Sequence, residues 1–216
     1  MNHIKCVIFD FDGTIANTAR SIQHTATRFF DEIGIKADPD IIKANIGLTL
    51  RRFFALFYEF DDASFPQAQL RYDEIYRTES MDLVELFDGV LCTLAKFKER
   101  GIYVTIGSNN TQVALQRFTA QLGIDKYIDH IVCLDDVKNG KPEPDIALEI
   151  MRRCNVSPAE TLVVGDSIYD VAMAVAANCP TCCVTYGAHS GEKLREAGCQ
   201  TTIDSFVQLE EFVLGK

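Results

Sequence analysis

Acidic residues follow two strand-like segments of this sequence. Asp10 and Asp12 come directly after the apolar run Cys6–Phe9. Asp166 follows another apolar run, and Asp170 lies one helical turn beyond it. Any one of these acids alone is typical of a turn or a helix cap. Ligands of open α/β sheets bind beyond the carboxyl ends of the strands, so we expect the four acids to share one crevice.

Such a crevice needs a cation. Two like charges about 4 Å apart repel by roughly 4 kcal/mol at an effective dielectric constant of 20. Four carboxylates in one crevice therefore imply a bound metal ion, and oxygen ligands suit Mg²⁺ best. The cofactor predicted from the sequence is Mg²⁺.

Groups that could bind phosphate stand near the predicted acids. Gly13 and Thr14 offer backbone N–H groups and a hydroxyl. Ser108 offers a hydroxyl after another strand-like run, and Asn109 offers a backbone N–H at a helix start. Lys141 supplies a cation in a segment rich in glycine and proline. The metal and this lysine would offset half of the formal charge of −6 carried by the four acids and a phosphate dianion, and protonation of Asp12 would remove one more negative charge.

These groups together predict phosphoryl transfer through a covalent intermediate. Asp10 is the predicted nucleophile, which attacks phosphorus and forms an aspartyl-phosphate. Asp12 is the predicted acid that protonates the leaving alkoxide, and it then takes a proton from the water that hydrolyses the intermediate. Mg²⁺, Lys141 and Ser108 would stabilise charge on the transferring phosphoryl oxygens.

The elements that must position these groups alternate between strand and helix patterns. The strand-like runs are almost continuously apolar, which is typical of parallel strands covered on both faces. These runs are Cys6–Phe9, Ile102–Ile106, Ile131–Leu134, Thr161–Val164 and Thr181–Thr185. Helical patterns between the later strands cover Val113–Leu122, Asp145–Cys154 and Asp170–Ala177. The predicted fold class is α/β, with a doubly wound parallel sheet.

A long helical insert interrupts this alternation between the first two strands. Helical spacing of apolar residues covers Ala16–Ile33, Thr49–Phe60, Gln67–Glu79 and Asp88–Arg100. We therefore predict an all-helical domain over residues 16–85, inserted in a core formed by residues 1–15 and 86–216. The aromatic residues of the insert are interpreted as core packing.

Composition narrows the possible partners. The 216 residues carry a formal net charge of −10, which argues against binding to nucleic acid or to an anionic membrane surface. No apolar run approaches the roughly 20 residues of a membrane helix. The N-terminal residues run directly into the first strand without the pattern of a signal peptide, so a cytoplasmic protein is expected.

The eight cysteines do not have the pattern of a disulfide framework, because disulfide-dense domains are usually much smaller. Cys6, Cys133, Cys182 and Cys183 lie in apolar runs and are expected to be buried free thiols. Cys179 and Cys182 have CxxC spacing without a second pair or a histidine cluster, so a metal site there is not expected.

With these motifs, the sequence resembles the phosphatases of the haloacid dehalogenase superfamily. The segment from Asp10 to Thr14 matches the first family motif and Ser108 the second. Lys141-Pro142 matches the third, and Gly165-Asp166 with Asp170 matches the fourth. The resemblance spans essentially the whole chain and implies a Rossmann-like core. It also implies that Mg²⁺ is bound by the Asp10 carboxylate, the Asp12 carbonyl oxygen and Asp166, with Asp170 in support.

The insert resembles the helical C1-type cap of the phosphoglycolate phosphatase-like branch. In that branch the cap closes over the site, selects the substrate and excludes water. Candidate cap residues for substrate contact are Lys43, Arg51 and above all Arg52, whose guanidinium could hold a substrate carboxylate in a two-point contact.

The expected function is a Mg²⁺-dependent phosphatase of a small phosphorylated metabolite, with phosphoglycolate as the first candidate, and a monomer or homodimer. Family members that cleave carbon–halogen or carbon–phosphorus bonds typically lack the second acid of the first motif, and Asp12 is present here. Three alternatives remain: a β-phosphoglucomutase-like phosphomutase, a pyrophosphatase, and a catalytically silent regulatory module with this fold.

Overall fold

A computed structural model describes residues 4–215 of the chain. The main sheet has six parallel strands in the order β5-β4-β1-β6-β7-β8. These strands are β1 (Cys6–Phe9), β4 (Tyr103–Gly107), β5 (His130–Val132), β6 (Thr161–Gly165), β7 (Thr181–Val184) and β8 (Thr201–Ile203). A separate antiparallel ribbon pairs β2 (Ala16–Asn17) with β3 (Glu85–Leu86).

Ten α-helices accompany the strands in the described part of the chain. Those of the insert are α1 (Ala19–Glu32), α2 (Pro39–Ala44), α3 (Leu50–Phe54) and α4 (Phe65–Ile75), and α4 runs on into a π-helix over Tyr76–Ser80. The others are α5 (Val90–Glu99), α6 (Gln112–Gln121), α7 (Asp145–Cys154), α8 (Ile168–Ala176), α9 (Gly191–Glu196) and α10 (Gln208–Leu214). Short 3₁₀ turns cover Met81–Leu83, Asp125–Tyr127, Leu134–Asp136 and Pro158–Glu160.

Both faces of the sheet are buried. Val7 and Phe9 of β1 belong to a core shared with α5 and α10, whereas Cys6 and Ile8 belong to a second core shared with α7 and α8. Side chains of a strand alternate between the two faces, so a strand buried on both sides must be apolar at every position. The predicted α/β class with a doubly wound sheet is confirmed.

The predicted strands are all present, and none of their ends is shifted by more than two residues. The predicted first helix over Ala16–Ile33 begins too early, because Ala16 lies in β2 and α1 starts at Ala19. The N–H of Ala16 donates to the Phe11 carbonyl and its own carbonyl accepts from Gly13, so its backbone is committed to a turn and cannot begin a helix. The predicted helix over Thr49–Phe60 is also too long, because α3 ends at Phe54.

The aromatic residues of the insert pack against one another. The rings of Phe29 and Phe54 stack at a centroid distance of 4.8 Å, and Phe30 and Tyr72 pack edge-on around Phe54. The interpretation of these residues as core is confirmed.

The ribbon pairs Ala16 with Leu86, close to both ends of the predicted insert. The division into a cap over residues 16–85 and a core over the rest stays a prediction.

One expectation about the cysteines is wrong. Cys183 is not a free thiol, because it forms a disulfide with Cys199. β7 and the turn before β8 bring their Cα atoms to 6.6 Å, a separation that a disulfide can span. Cys179 and Cys182 are buried and free.

Among the helices described, none has the length and apolar character that a membrane crossing requires.

Helix α5 offers a matched test of this packing. Leu94 is fully buried against the sheet, whereas Leu91 on the same helix is 47% exposed. We expect Leu94→Ala to lower the free energy of unfolding by about 2–5 kcal/mol, since it removes apolar contacts and leaves a cavity. Leu91→Ala is the control and should change it by no more than about 0.5 kcal/mol. Urea denaturation of both variants measures the difference, and equal losses would contradict the described packing of α5.

Candidate active site

Asp10 leaves the carboxyl end of the central strand and enters a tight turn. Its N–H donates to the carbonyl of Val164 at 2.8 Å, which keeps the backbone attached to β6 for one more residue. The next residues then turn back on themselves, because the N–H groups of Ile15 and Ala16 both donate to the Phe11 carbonyl. The side chain of Asp10 is buried, with 6% of the residue exposed.

Gly13 occupies the point where this turn meets β6. Its φ is +85°, in the left-handed region that glycine adopts without strain. A Cβ atom at this position would lie 2.2 Å from Oδ2 of Asp166. A side chain here would displace Asp166, so the glycine allows the turn and the acid to approach each other.

Lys141 joins two of the predicted acids. Its Nζ donates to Oδ1 of Asp170 at 2.6 Å and also to Oδ1 of Asp10, and all three side chains are buried. The other oxygen of Asp170 accepts from the N–H and the hydroxyl of Ser167 at 3.1 and 2.5 Å, which closes a capping box at the start of α8. The lysine is therefore held by two carboxylates, and one of them is fixed by a helix terminus.

Asp166 completes a cluster of carboxylates. One oxygen from each of Asp10, Asp166 and Asp170 lies within 4.8 Å of the others, and all three residues are buried. A set of hard oxygen donors at this separation, enclosed by protein, fits a divalent cation such as Mg²⁺. The carboxyl group of Asp12 is not part of this cluster, and its predicted contribution through the carbonyl oxygen stays a prediction.

The second side of Asp166 is held by a loop that sequence reasoning missed. Oδ2 accepts from the N–H of Ala188 at 2.6 Å, and Oδ1 accepts from the hydroxyl of Thr14 at 3.3 Å. Gly187 packs so closely that a Cβ there would lie 2.2 Å from Oδ2. The signal was available, because this loop follows β7 at the same carboxyl edge of the sheet.

Burial shifts the pKa values of Asp10, Asp166 and Lys141. It raises the pKa of Asp10 well above its usual range, although the charge of Lys141 opposes the rise. It also raises the pKa of Asp166 to about 7, with the charge of Asp170 adding to the effect. For Lys141 burial acts in the opposite direction, but Asp10 and Asp170 outweigh it and the pKa is raised overall. The lysine therefore stays charged beside Asp10, whose carboxyl group holds its proton more strongly than usual.

Asp10 and Asp12 both line a cavity of about 330 Å³. Burial raises the pKa of Asp12, while nearby groups of Thr18 and Asn110 oppose the rise. A carboxylic acid that keeps its proton nearer to neutral pH is better suited to protonate a leaving group. The two acids of the first motif thus differ in surroundings, since Asp10 contacts Lys141 and Asp12 does not pair with it.

Ser108 and Asn109 follow β4 and also line the cavity. Oγ of Ser108 accepts from the N–H of Asn110 at 3.1 Å. The side chain of Asn109 accepts from the Lys141 N–H at 2.8 Å and donates to the Lys141 carbonyl at 3.1 Å. It also donates to the carbonyl of Gly47 in the insert at 2.9 Å. Sequence reasoning assigned Asn109 a backbone role, and the structure adds a side chain that ties the lysine loop to the insert.

The predicted substrate residue of the insert lies elsewhere. Arg51, and not Arg52, lines the cavity, because α3 presents the two neighbouring arginines in different directions. The guanidinium of Arg51 lies 3.0 Å from Asp62 and 4.3 Å from the ring centre of Phe65. The structure therefore gathers Asp10, Asp12, Gly13, Thr14, Ser108, Asn109, Lys141, Asp166 and Asp170 around the carboxyl ends of the strands, and it leaves Arg52 outside the cavity.

Comparison with known proteins now identifies the family. The model of the haloacid dehalogenase-like hydrolases matches residues 7–184, which include every one of these acids and Lys141. This chain belongs to that family. The resemblance inferred from the four motifs is confirmed.

Individual relatives agree with the family. The chain is 30% identical over 212 residues to a phosphoglycolate phosphatase of Thiobacillus denitrificans, with 95% of this chain and 93% of that protein covered. It is 28% identical to a protein of Clostridium perfringens assigned as a pyrophosphatase, PpaX, with 97% of both covered. A crystal structure of a Bacteroides fragilis protein, assigned to the haloacid dehalogenase-like hydrolases, superposes with a TM-score of 0.89 at 27% identity and covers 95% of this chain and 99% of its own. The chain is an enzyme, a phosphatase of the haloacid dehalogenase-like family.

The side chain of Asn109 gives a prediction. Asn109→Ala should lower the free energy of unfolding by about 1–3 kcal/mol, because it leaves the buried Lys141 N–H without its acceptor. Gln121→Ala is the control, since its exposed amide also donates to a carbonyl of the insert, that of Met81 at 3.1 Å. The control should change stability by no more than about 0.5 kcal/mol. Chemical denaturation measures both, and a loss in Asn109→Ala no larger than the control's would show that the tie does not stabilise the fold.

Proposed function

We propose that this enzyme is a Mg²⁺-dependent phosphatase of a small phosphorylated metabolite and that it acts through an aspartyl-phosphate on Asp10. The observation that carries the proposal is the position of Asp10. Its carboxyl group faces Lys141 and the carboxylate cluster on one side and lines a cavity next to Asp12 and Ser108 on the other.

In the first step an oxygen of Asp10 attacks phosphorus. The bond from phosphorus to this oxygen forms as the bond to the substrate's alkoxide oxygen breaks. Asp12 donates its proton to that alkoxide, so the alcohol leaves neutral. The raised pKa of Asp12 supports this role, because burial keeps its proton available.

In the second step water hydrolyses the aspartyl-phosphate. Asp12, now ionised, takes a proton from the attacking water, and the bond from phosphorus to Asp10 breaks. Inorganic phosphate is released, Asp10 returns as a carboxylate and Asp12 is again protonated. Splitting the displacement into two steps lets one acid, Asp12, serve both, first as the proton donor and then as the proton acceptor.

A metal ion and a lysine would supply the positive charge of the proposed site. Asp10, Asp166 and Asp170 would hold Mg²⁺, with the Asp12 carbonyl oxygen as a further ligand. When bound, the ion would supply positive charge opposite the phosphoryl oxygens. Lys141 and the hydroxyl of Ser108 would stabilise the same oxygens, together with the backbone N–H of Asn109. The N–H groups predicted for this role at Gly13 and Thr14 are not available, because they donate to the carbonyls of Ala16 and Phe11 within the turn.

The substrate is proposed at the level of a phosphate ester of a small metabolite. Phosphoglycolate is the first compound to test, because a relative at 30% identity is named for it. Pyrophosphate is the second, since another relative is assigned as a pyrophosphatase. In this proposal the helical segment 16–85 is a cap that covers the acids of the core.

The covalent route predicts a requirement for Asp10 and for a metal. Asp10→Asn should lower the turnover of p-nitrophenyl phosphate by more than about 10⁴-fold, as loss of a nucleophile does in other covalent mechanisms. Chelation with EDTA should abolish turnover in the unmodified enzyme, and added Mg²⁺ should restore it. Asp125→Asn on the exposed surface is the control and should retain full activity. Turnover that survives Asp10→Asn contradicts the covalent route, and turnover that survives EDTA contradicts the metal.

The role of Asp12 predicts a dependence on the leaving group. Asp12→Asn should slow the hydrolysis of an alkyl phosphate by about 10²–10⁴-fold, because an alkoxide needs a proton in order to leave. p-Nitrophenolate leaves without one, so this variant should release about one equivalent of p-nitrophenol rapidly and then slow down, with the aspartyl-phosphate accumulating. Stopped-flow absorbance measures the burst. Equal slowing of both esters without a burst would remove Asp12 from the mechanism.

A further inference from the structure

The cavity beside Asp10 has a largely apolar lining. Leu48, Leu50, Phe53 and Phe65 of the insert line it, with Phe118 and Leu134 from the core. Its volume of about 330 Å³ falls at the lower end of the range of roughly 300–1,000 Å³ found for cavities that bury drug-sized ligands. A two-carbon acid would leave most of this apolar surface without a partner.

The charges around the cavity do not favour an anionic leaving group. Arg51 alone carries a positive side chain among the described residues that line it, and this arginine already contacts Asp62 and the ring of Phe65. Asp73 and Asp135 add negative side chains to the lining. A carboxylate on the leaving group would therefore meet acids and apolar carbon, and burial of an unpaired charge is costly.

The cavity also offers neutral polar groups. Asn45 and Gln69 line it and can donate and accept hydrogen bonds without adding charge. Such groups among apolar side chains orient a ligand, while the apolar surface contributes most of the binding free energy. The chemistry of the lining is thus complementary to an uncharged molecule with a substantial apolar face.

From these observations we infer that the substrate is a phosphate monoester of an uncharged alcohol larger than glycolate, with an apolar face that packs against Leu48, Leu50 and Phe65. This inference rests on the proposed phosphatase mechanism and names the class of its leaving group. The bonds that form and break are those already given, and the alcohol that leaves is neutral and mostly apolar.

A series of synthetic esters tests the apolar contact in the unmodified enzyme. Ethyl, butyl and hexyl phosphate release alcohols of nearly equal acidity, so the chemical step is nearly constant along the series. If the chain enters the cavity, kcat/KM should rise by up to about fourfold per methylene, and by at least about tenfold from ethyl to hexyl phosphate. A rise smaller than about tenfold, or a falling series, overturns the inference.

A second set of esters tests whether the site disfavours a charged leaving group. Phosphoglycolate is ethyl phosphate with a carboxylate in place of the methyl group, and 2-aminoethyl phosphate is propyl phosphate with an ammonium group in place of the methyl group. Each charged ester should have a lower kcat/KM than its neutral counterpart. A charged ester whose kcat/KM equals or exceeds that of its neutral counterpart overturns the inference.

Variants locate the contact. Leu48→Gln and Leu50→Gln should each reduce the ratio of kcat/KM for hexyl phosphate to that for ethyl phosphate by about fivefold or more. Leu70→Gln is the control, because Leu70 is 69% exposed and lies outside the lining, and it should leave the ratio unchanged. The ratio is measured within each variant, so a general loss of folded protein does not affect it. If neither Leu48→Gln nor Leu50→Gln changes this ratio, the inferred position of the alcohol is wrong.

The two proposals fail in different ways. If Asp10→Asn retains turnover, the mechanism is wrong regardless of which ester is preferred. If Asp10 is required and phosphoglycolate is nevertheless preferred over ethyl and hexyl phosphate, the mechanism stands and the inferred leaving group is wrong.

Discussion

The structure of the site depends on burying several carboxylates next to one another. Asp10, Asp166 and Asp170 lie within a few ångströms of each other with little exposure to solvent, and Lys141 compensates two of them directly. Isolated buried charges of this kind would be strongly unfavourable, so each needs a partner or a bound proton. Much of the surrounding architecture supplies those partners: the capping box of Ser167, the N–H of Ala188, the hydroxyl of Thr14 and the amide of Asn109, which holds the backbone of the lysine.

A parallel sheet is well suited to this task. Its strands converge at one edge, so residues distant in sequence meet without long connecting loops. Asp10 follows β1, Ser108 follows β4 and Asp166 follows β6, and these three strands are direct neighbours in the sheet. The apolar cores on both faces hold the strands, and the polar ends need only short turns to reach one another.

Much of this arrangement could be predicted from the sequence, because the acids and Ser108 directly follow apolar runs that are recognisable as strands. The apolar run before Asp10 and the helix over Asp145–Cys154 have the bounds that the structure shows. β8 was missed, since it is three residues long and contains two threonines. The ribbon of β2 and β3 was missed because two-residue strands have no measurable periodicity.

Other features of the site could be recognised only in the three-dimensional structure. Arg51 and Arg52 are neighbours in a five-residue helix, and nothing in their spacing tells which of them meets the cavity. The partner of Cys183 depends on how β7 and β8 lie side by side, which sequence spacing does not reveal. The side-chain amide of Asn109 could be recognised as a hydrogen-bonding group, but its partners, Gly47 and Lys141, lie far from it in the chain.

The ribbon between Ala16 and Leu86 has a mechanical consequence. Ala16 both pairs with Leu86 and closes the turn that carries Asp12, through its carbonyl and the N–H of Gly13. The joint on which the helical segment would pivot is therefore continuous with the backbone of Asp12. In the proposed mechanism, a movement of the segment about this joint would also shift the proton donor, so access to the cavity and the position of the acid would change together.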